Sequence, residues 1–181
     1  GGTDAGAAYI FTRSGSTWTE QQKIQAGDIQ AGDEFGWSVS ISEDGNTAIV
    51  GARREDTGGS SAGAAYIFTR SGSTWTEQAK IQTSDIAGGD FLGISVSISS
   101  DGNTAIVGAY FEDAGGSNAG AAYIFTRSGS AWTEQAKITA SDAEANDWFG
   151  WSASISGDGN TAIVGAYRED TGGTDAGAAY I

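Results

Sequence analysis

Residues 36–42 alternate strictly between apolar and polar. Trp37, Val39 and Ile41 point one way, Ser38, Ser40 and Ser42 the other. A period of two predicts a strand with one face turned to a core. Glu43-Asp44-Gly45-Asn46 then predicts a hairpin turn, since Gly and Asn take positive φ readily. Residues 47–52 (Thr-Ala-Ile-Val-Gly-Ala) are apolar on both faces and predict a strand buried on both sides. A polar, Gly-rich loop covers 53–62. A third strand, 64–70, is again apolar on both faces. Ser71-Gly72-Ser73 turns the chain into a fourth strand at 74–81, and a loop carrying Asp85 and Asp90 follows.

This pattern recurs. Gly45-Asn46-Thr47-Ala48-Ile49-Val50-Gly51-Ala52 returns unchanged 57 residues later as 102–109, and after another 57 as 159–166. Ala8-Tyr9-Ile10 returns at 65–67, 122–124 and 179–181 in the same step. A fixed period of this size predicts stacked supersecondary units. Residues 1–10 and 172–181 are identical, including Thr3-Asp4 and Thr174-Asp175, where the internal copies carry Ser60-Ser61 and Ser117-Asn118. The expectation is a segment of a longer, amplified array with a three-repeat superperiod.

Four antiparallel strands whose middle members are apolar on both faces need cover on both sides. The fold class expected is therefore all-β: tandem four-stranded blades of 57 residues, β-propeller-like, packed face to face. Residues 1–34 are the third and fourth strands of one blade, 35–91 and 92–148 are whole repeats, and 149–181 open another. Propellers typically close with four to eight blades. The expectation is thus closure by oligomerisation, or continuation as an open array or fibre.

Composition narrows the function. The net charge is −14, with nine Lys and Arg, which excludes the basic footprint that nucleic acid requires. No apolar run approaches the roughly 20 residues of a membrane-spanning helix. His and Cys are absent, so Ser-His-Asp and Cys-His catalysis and the usual zinc sites are excluded within these residues. No constellation is unique to one repeat, and the expectation is that the chain is not an enzyme and has no catalytic or cofactor-binding residues.

The repeat resembles the FG-GAP family. Phe35-Gly36 and Gly51-Ala52 supply the two halves of its signature. They recur as Leu92-Gly93 with Gly108-Ala109, and as Phe149-Gly150 with Gly165-Ala166. Gly63-Ala64-Ala65-Tyr66-Ile67-Phe68 and Trp75-Thr76-Glu77-Gln78-Ala79-Lys80-Ile81 extend the likeness toward the bacterial, secreted branch. The resemblance implies propeller blades of the integrin α-chain type and an extracellular or cell-surface role. Two departures stand out. The Pro of the signature is replaced by Arg53, Tyr110 and Tyr167. The calcium loop shrinks to Glu43-Asp44-Gly45-Asn46 and its copies, too few oxygens for the six to eight that Ca²⁺ takes.

Among local candidates, Asp142, Glu144, Asn146 and Asp147 offer four oxygen side chains in six residues, the best cation set in the chain; Asp in such loops also caps its own backbone. Glu55-Asp56, Glu112-Asp113 and Glu169-Asp170 form an acidic ring or row, one pair per blade, suited to cations or a basic partner and read here as solvated loop. Trp37, Ile94 and Trp151 share one register position and Trp18, Trp75 and Trp132 another; recurrence on strands predicts core between blades, against stacking on sugars. Glu34, Phe91 and Trp148 share a third position, where charged gives way to aromatic, and form the candidate interaction face. The function expected is a structural or adhesive extracellular repeat protein in a fibre or long surface array, held by self-association or by continuation of the array. The alternative is a discrete propeller that binds an extracellular protein or glycan.

Overall fold

A computed structural model describes residues 2–181. Strands β1 (Ala8–Ser14) and β2 (Thr17–Ile24) form a two-stranded ribbon. Strands β3 (Phe35–Ile41), β4 (Thr47–Ala52), β5 (Ala64–Ser71) and β6 (Thr74–Ile81) form a four-stranded sheet in sequential order. The next sheet repeats that order with β7 (Val96–Ile98), β8 (Thr104–Ala109), β9 (Ala121–Ser128) and β10 (Ala131–Ile138). The last holds β11 (Phe149–Ile155), β12 (Ala162–Ala166) and β13 (Ala178–Tyr180). All pairings within sheets are antiparallel.

The strands fall where the alternation places them, β4 and β6 to the residue. The first strand of each unit departs from a regular ladder. Phe35 lies opposite Ala52 and Ser38 opposite Gly51, so residues 36 and 37 bulge outward. The same bulge recurs between Phe149 and Ser152. It is built on left-handed backbone at Glu34 and Gly36.

Three cores lie between consecutive sheets. The ribbon and the first four-stranded sheet share Ile24, Phe35, Val50, Tyr66, Phe68 and Trp75. The two four-stranded sheets share Ile49, Ile67, Ile81, Val96, Ile98, Val107, Tyr123 and Phe125. The last core joins Ile106 and Ala122 to Phe149, Ile155 and Val164. Ile49 and Val50, adjacent on β4, thus face opposite cores, as the two-sided apolar run requires. Each fully buried side chain of this kind stabilises the fold by about 1.5–3 kcal/mol.

The sheets approach closely along their first and second strands. A Cβ on Gly51 would stand 2.1 Å from the Gly93 carbonyl oxygen, and one on Gly108 would stand 2.0 Å from that of Gly150. The Ser38 and Ser95 hydroxyls donate to those same two oxygens at 2.8 Å. Isolated parallel bridges, Gly6 with Phe35, Gly63 with Leu92 and Gly120 with Phe149, tie each unit to the next. The sheets do not close: each core belongs to two consecutive sheets, and none joins the first to the last.

The exposed large apolar side chains follow from that openness. Tyr9, Phe11 and Trp18 lie on the ribbon, and Trp37, Val39 and Ile41 on β3, which the two-stranded ribbon leaves bare. Trp151, Ile163, Tyr167 and Ile181 lie at the other end.

Candidate functional site

Four side chains from four elements meet at each of the first two of the three interfaces between sheets. Asp28 comes from the loop after β2, Glu55 from the loop after β4, Tyr66 from β5 and Lys80 from β6. The Tyr66 hydroxyl donates to Asp28 Oδ1 at 2.9 Å. Lys80 Nζ lies 2.9 Å from Asp28 Oδ2 and 2.9 Å from Glu55 Oε1. One repeat later, Tyr123 donates to Asp85 at 3.0 Å, and Lys137 lies 2.8 Å from both Asp85 and Glu112.

Burial works against both ammonium groups, but the hydrogen bonds they donate to the carboxylates outweigh it and hold Lys80 and Lys137 above the ordinary lysine range. Burial likewise opposes ionisation of Asp28 and Asp85; their lysine and tyrosine donors overcome it and hold both below the ordinary range. Tyr66 and Tyr123 are pushed far up, first by burial and then by the neighbouring carboxylates. The acidic row expected to be solvated loop is therefore corrected in part: Asp56, Asp113 and Asp170 are exposed, but the glutamates are not. Glu55, Glu112 and Glu169 are buried, and the first two are paired with lysine. The fourth-strand lysine partners Glu55 and Glu112, while Glu169 is held by the Thr171 backbone N–H.

At the last sheet Tyr180 donates to Asp142 at 2.8 Å, and the Thr171 backbone donates to buried Glu169 at 2.8 Å. Asp142, Glu144, Asp147, Glu169, Asp170 and Thr171 line a cavity of about 170 Å³. Three of the four residues of the sequence-derived cation set, Asp142, Glu144 and Asp147, line it, and Asn146 does not. Asp147 accepts the Glu144 backbone N–H at 2.6 Å, closing the turn, and Asn146 accepts from the Asn118 side chain at 3.1 Å. Among the described residues no group of three or more carboxylates is placed to hold a metal ion. In the shortened loop, Asp44 accepts from the Ser42 hydroxyl at 2.6 Å and the Asn46 backbone at 2.9 Å, bonds that hold its carboxyl below the ordinary range.

Glu34, Phe91 and Trp148 stand at the start of each bulge with φ of 57°, 56° and 59°, a conformation that bulky residues adopt only under constraint. They sit on one rim of the stack. Glu34 pairs with Arg53 at 2.6 Å, and the Arg53 guanidinium lies 3.4 Å from the centre of the Trp37 ring. Phe91 packs on Tyr110 and Phe111, both with ring centroids at 5.5 Å. Trp148 packs on Tyr110, Phe111, Trp151 and Tyr167, with Arg168 at 3.9 Å from its ring. The Trp148 Nε1 is buried and has no hydrogen-bond partner. The rim is thus ionic at one unit and an aromatic seam at the next two.

The recurrent tryptophans divide. Trp75 and Trp132 pack between sheets as expected, and Ile94 is buried. Trp18, Trp37 and Trp151 are exposed, a correction to the core expectation. Each has on its outer side no sheet to bury it.

The two signature halves, Phe35 and Gly51-Ala52, are neighbours across the bulged ladder, and the arrangement repeats at Phe149 and Ala166. Residues 18–68, 75–125 and 132–181 match the family model described as the FG-GAP repeat. The chain belongs to the FG-GAP repeat family. Its FG-GAP units carry the close sheet contact in the motif itself. Among solved structures, the chain is similar to hydrazine synthase of Kuenenia stuttgartiensis, at 15% identity and TM-score 0.49, over 81% of this chain and 34% of that one. It is similar also to TolB from Acinetobacter baumannii, at 15% identity and TM-score 0.49, over 90% of this chain and 32% of that one. The FG-GAP chain spans about a third of the length of each. No curated protein matches it, and among the described residues no helix is long and apolar enough to cross a membrane.

Proposed function

We propose that this chain is a non-catalytic, structural or adhesive repeat module of an extracellular or cell-surface array or fibre. The observation that carries this reading is the recurrence of the interfaces from one repeat to the next. The Asp-Tyr-Lys-Glu group and the serine-to-carbonyl bond each recur with the same residues one repeat apart, and the parallel bridge recurs from glycine to Phe or Leu. Interfaces that repeat without closing generate a filament. Membership of the FG-GAP family supports the extracellular setting, and so does the acidic surface.

Electron microscopy of the native material, with light scattering for mass, tests it. Filaments with an axial period matched to the units are the expected result. Compact particles of fixed mass would overturn it. In that case the aromatic seam of Tyr110, Trp148, Trp151 and Tyr167 favours a discrete module that binds protein or glycan. Exposed Trp151 and Tyr167 are suited to stacking on a sugar ring.

A further inference from the structure

We infer that the edge of the last sheet is a docking site for the β1–β2 ribbon of a second copy of this chain, whose Lys23 enters the pocket formed by Asp142 and Glu169. The inference rests on the array reading for its purpose, while its geometry stands on the interior interfaces alone.

All three lysines of the chain, Lys23, Lys80 and Lys137, occupy one position of the repeat. Lys80 and Lys137 each bridge an aspartate and a buried glutamate beside a tyrosine. Lys23 lies over the Tyr9 ring at 5.8 Å, is exposed and among the described residues makes no ion pair. Asp142, Tyr180 and Glu169 hold the complementary half at the opposite end. One end of the molecule presents the ammonium, the other its two carboxylates.

The strand pairing agrees. β13 pairs Val164 with Tyr180, Gly165 with Ala179 and Ala166 with Ala178 over three residues. Residues 172–181 and 1–10 have the same sequence. A second copy's β1 therefore replaces β13 residue for residue, sets Tyr9 opposite Val164, and continues over seven residues where β13 has three. β2 follows it and completes a four-stranded sheet, β11-β12 of one copy with β1-β2 of the next.

The apolar surfaces agree as well. Ile163 is 44% exposed, while its counterparts Ile49 and Ile106 are fully buried. Val39 and Ile41 are exposed, while Val96 and Ile98, in the same register positions, pack in the core containing Ile49. A groove of about 530 Å³ runs between Val39 and Ile41 on one side and Ile10 and Phe11 on the other. The incoming β11–β12 edge fills this groove and sets Ile163 against Val39 and Ile41, as Ile49 sits against Val96 and Ile98. A ribbon continued within one longer chain would fill the same edge in the same way, so the test asks about separate copies.

Sedimentation velocity of the 181-residue chain over a range of concentrations is the measurement. The expected result is mass that grows with concentration beyond one chain. Lys23→Asp and Asp142→Lys, both at exposed positions, should each weaken association at least about ten-fold. An equimolar mixture of the two should recover it, because each charge-reversed end then meets its complement and each native end meets a native one. As a readout of register, Thr12→Cys with Thr161→Cys should form disulfides between copies and give a ladder on non-reducing gels. These positions correspond to the interior partners Thr69 and Thr47, and the chain contains no other Cys. Thr12→Cys with Ala162→Cys, slipped by one residue, should not. A wild-type chain that stays monomeric overturns the inference, as does association indifferent to the two charge reversals. Neither outcome touches the array reading, which is decided by microscopy of native material.

Discussion

The Tyr123 hydroxyl donates to Asp85, a residue one sheet back and 38 positions earlier in the chain, at 3.0 Å. Tyr66 and Asp28 stand in the same relation at 2.9 Å. The bond crosses between sheets, beside the Ser38–Gly93 bond and the shared apolar core, and it holds an aspartate where lysine and glutamate converge.

Tyr123→Phe should lower stability by about 1 kcal/mol, since Asp85 keeps its lysine and no polar atom is stranded. Combined with Asp85→Asn, the two losses should fall short of additive, because each variant removes the same bond. Denaturant unfolding of the four members of the cycle measures this. Strict additivity would show that the hydroxyl contributes nothing through Asp85.

Gly108→Ala places a Cβ against the Gly150 carbonyl at 2.0 Å. Both atoms belong to backbone already fixed in sheets, so the sheets must separate. The expected loss is about 3 kcal/mol or more. Gly129→Ala is the control, at a turn with φ +64 and open space around it; only the local left-handed penalty of about 1–2 kcal/mol applies. Equal melting temperatures for the two variants would refute the close-contact account.

Leu92 is fully buried at the position that Phe35 and Phe149 occupy in the neighbouring repeats. Leu92→Ala should cost about 2–5 kcal/mol through the cavity it leaves. Thermal unfolding checks this. A loss under 1 kcal/mol would mean that the site collapses around the smaller side chain.

Stability should depend on pH at both extremes. Asp28 and Asp85 titrate lower in the folded chain than in the unfolded one. Their contribution is present above about pH 4 and fades as pH falls through the depressed folded values. Asp33 and Asp90, pushed up by burial, oppose this. They favour the folded state below about pH 4 and cease to do so as pH rises through their raised folded values. On the alkaline side the signs agree. Tyrosine and lysine both titrate higher when folded, so from about pH 10 the unfolded chain releases protons that the folded chain keeps. The melting temperature should fall from about pH 10 upward, and less steeply in Lys80→Met/Lys137→Met. An alkaline limb unchanged in that variant would remove the lysines from the explanation.

The strands were legible in the sequence because their chemistry is local. Alternation at 36–42 and the Asp-Gly-Asn turn fix β3 and β4 within a residue, and the two-sided apolar runs forecast cores on both faces of each interior sheet. The Asp-Tyr-Lys-Glu group was not legible from any one window, since Asp28, Glu55, Tyr66 and Lys80 sit in four elements brought together by stacking. A glutamate in a polar loop reads as solvated until the lysine across the edge is known. One signal was available: the three lysines share a single register position in a chain otherwise poor in positive charge. The rim position of Glu34, Phe91 and Trp148 was visible as a site of divergence, but its left-handed backbone and ring packing were not, because both depend on the bulge.

Each core belongs to two consecutive sheets only, so the molecule resembles a series of similar latches. Tension applied at its two ends meets these one at a time, and the loads at which they release should lie close together. Each release frees one 57-residue unit, about 200 Å of extended backbone at about 3.5 Å per residue. A chain built this way absorbs mechanical work in evenly spaced increments and stores the unreleased units intact.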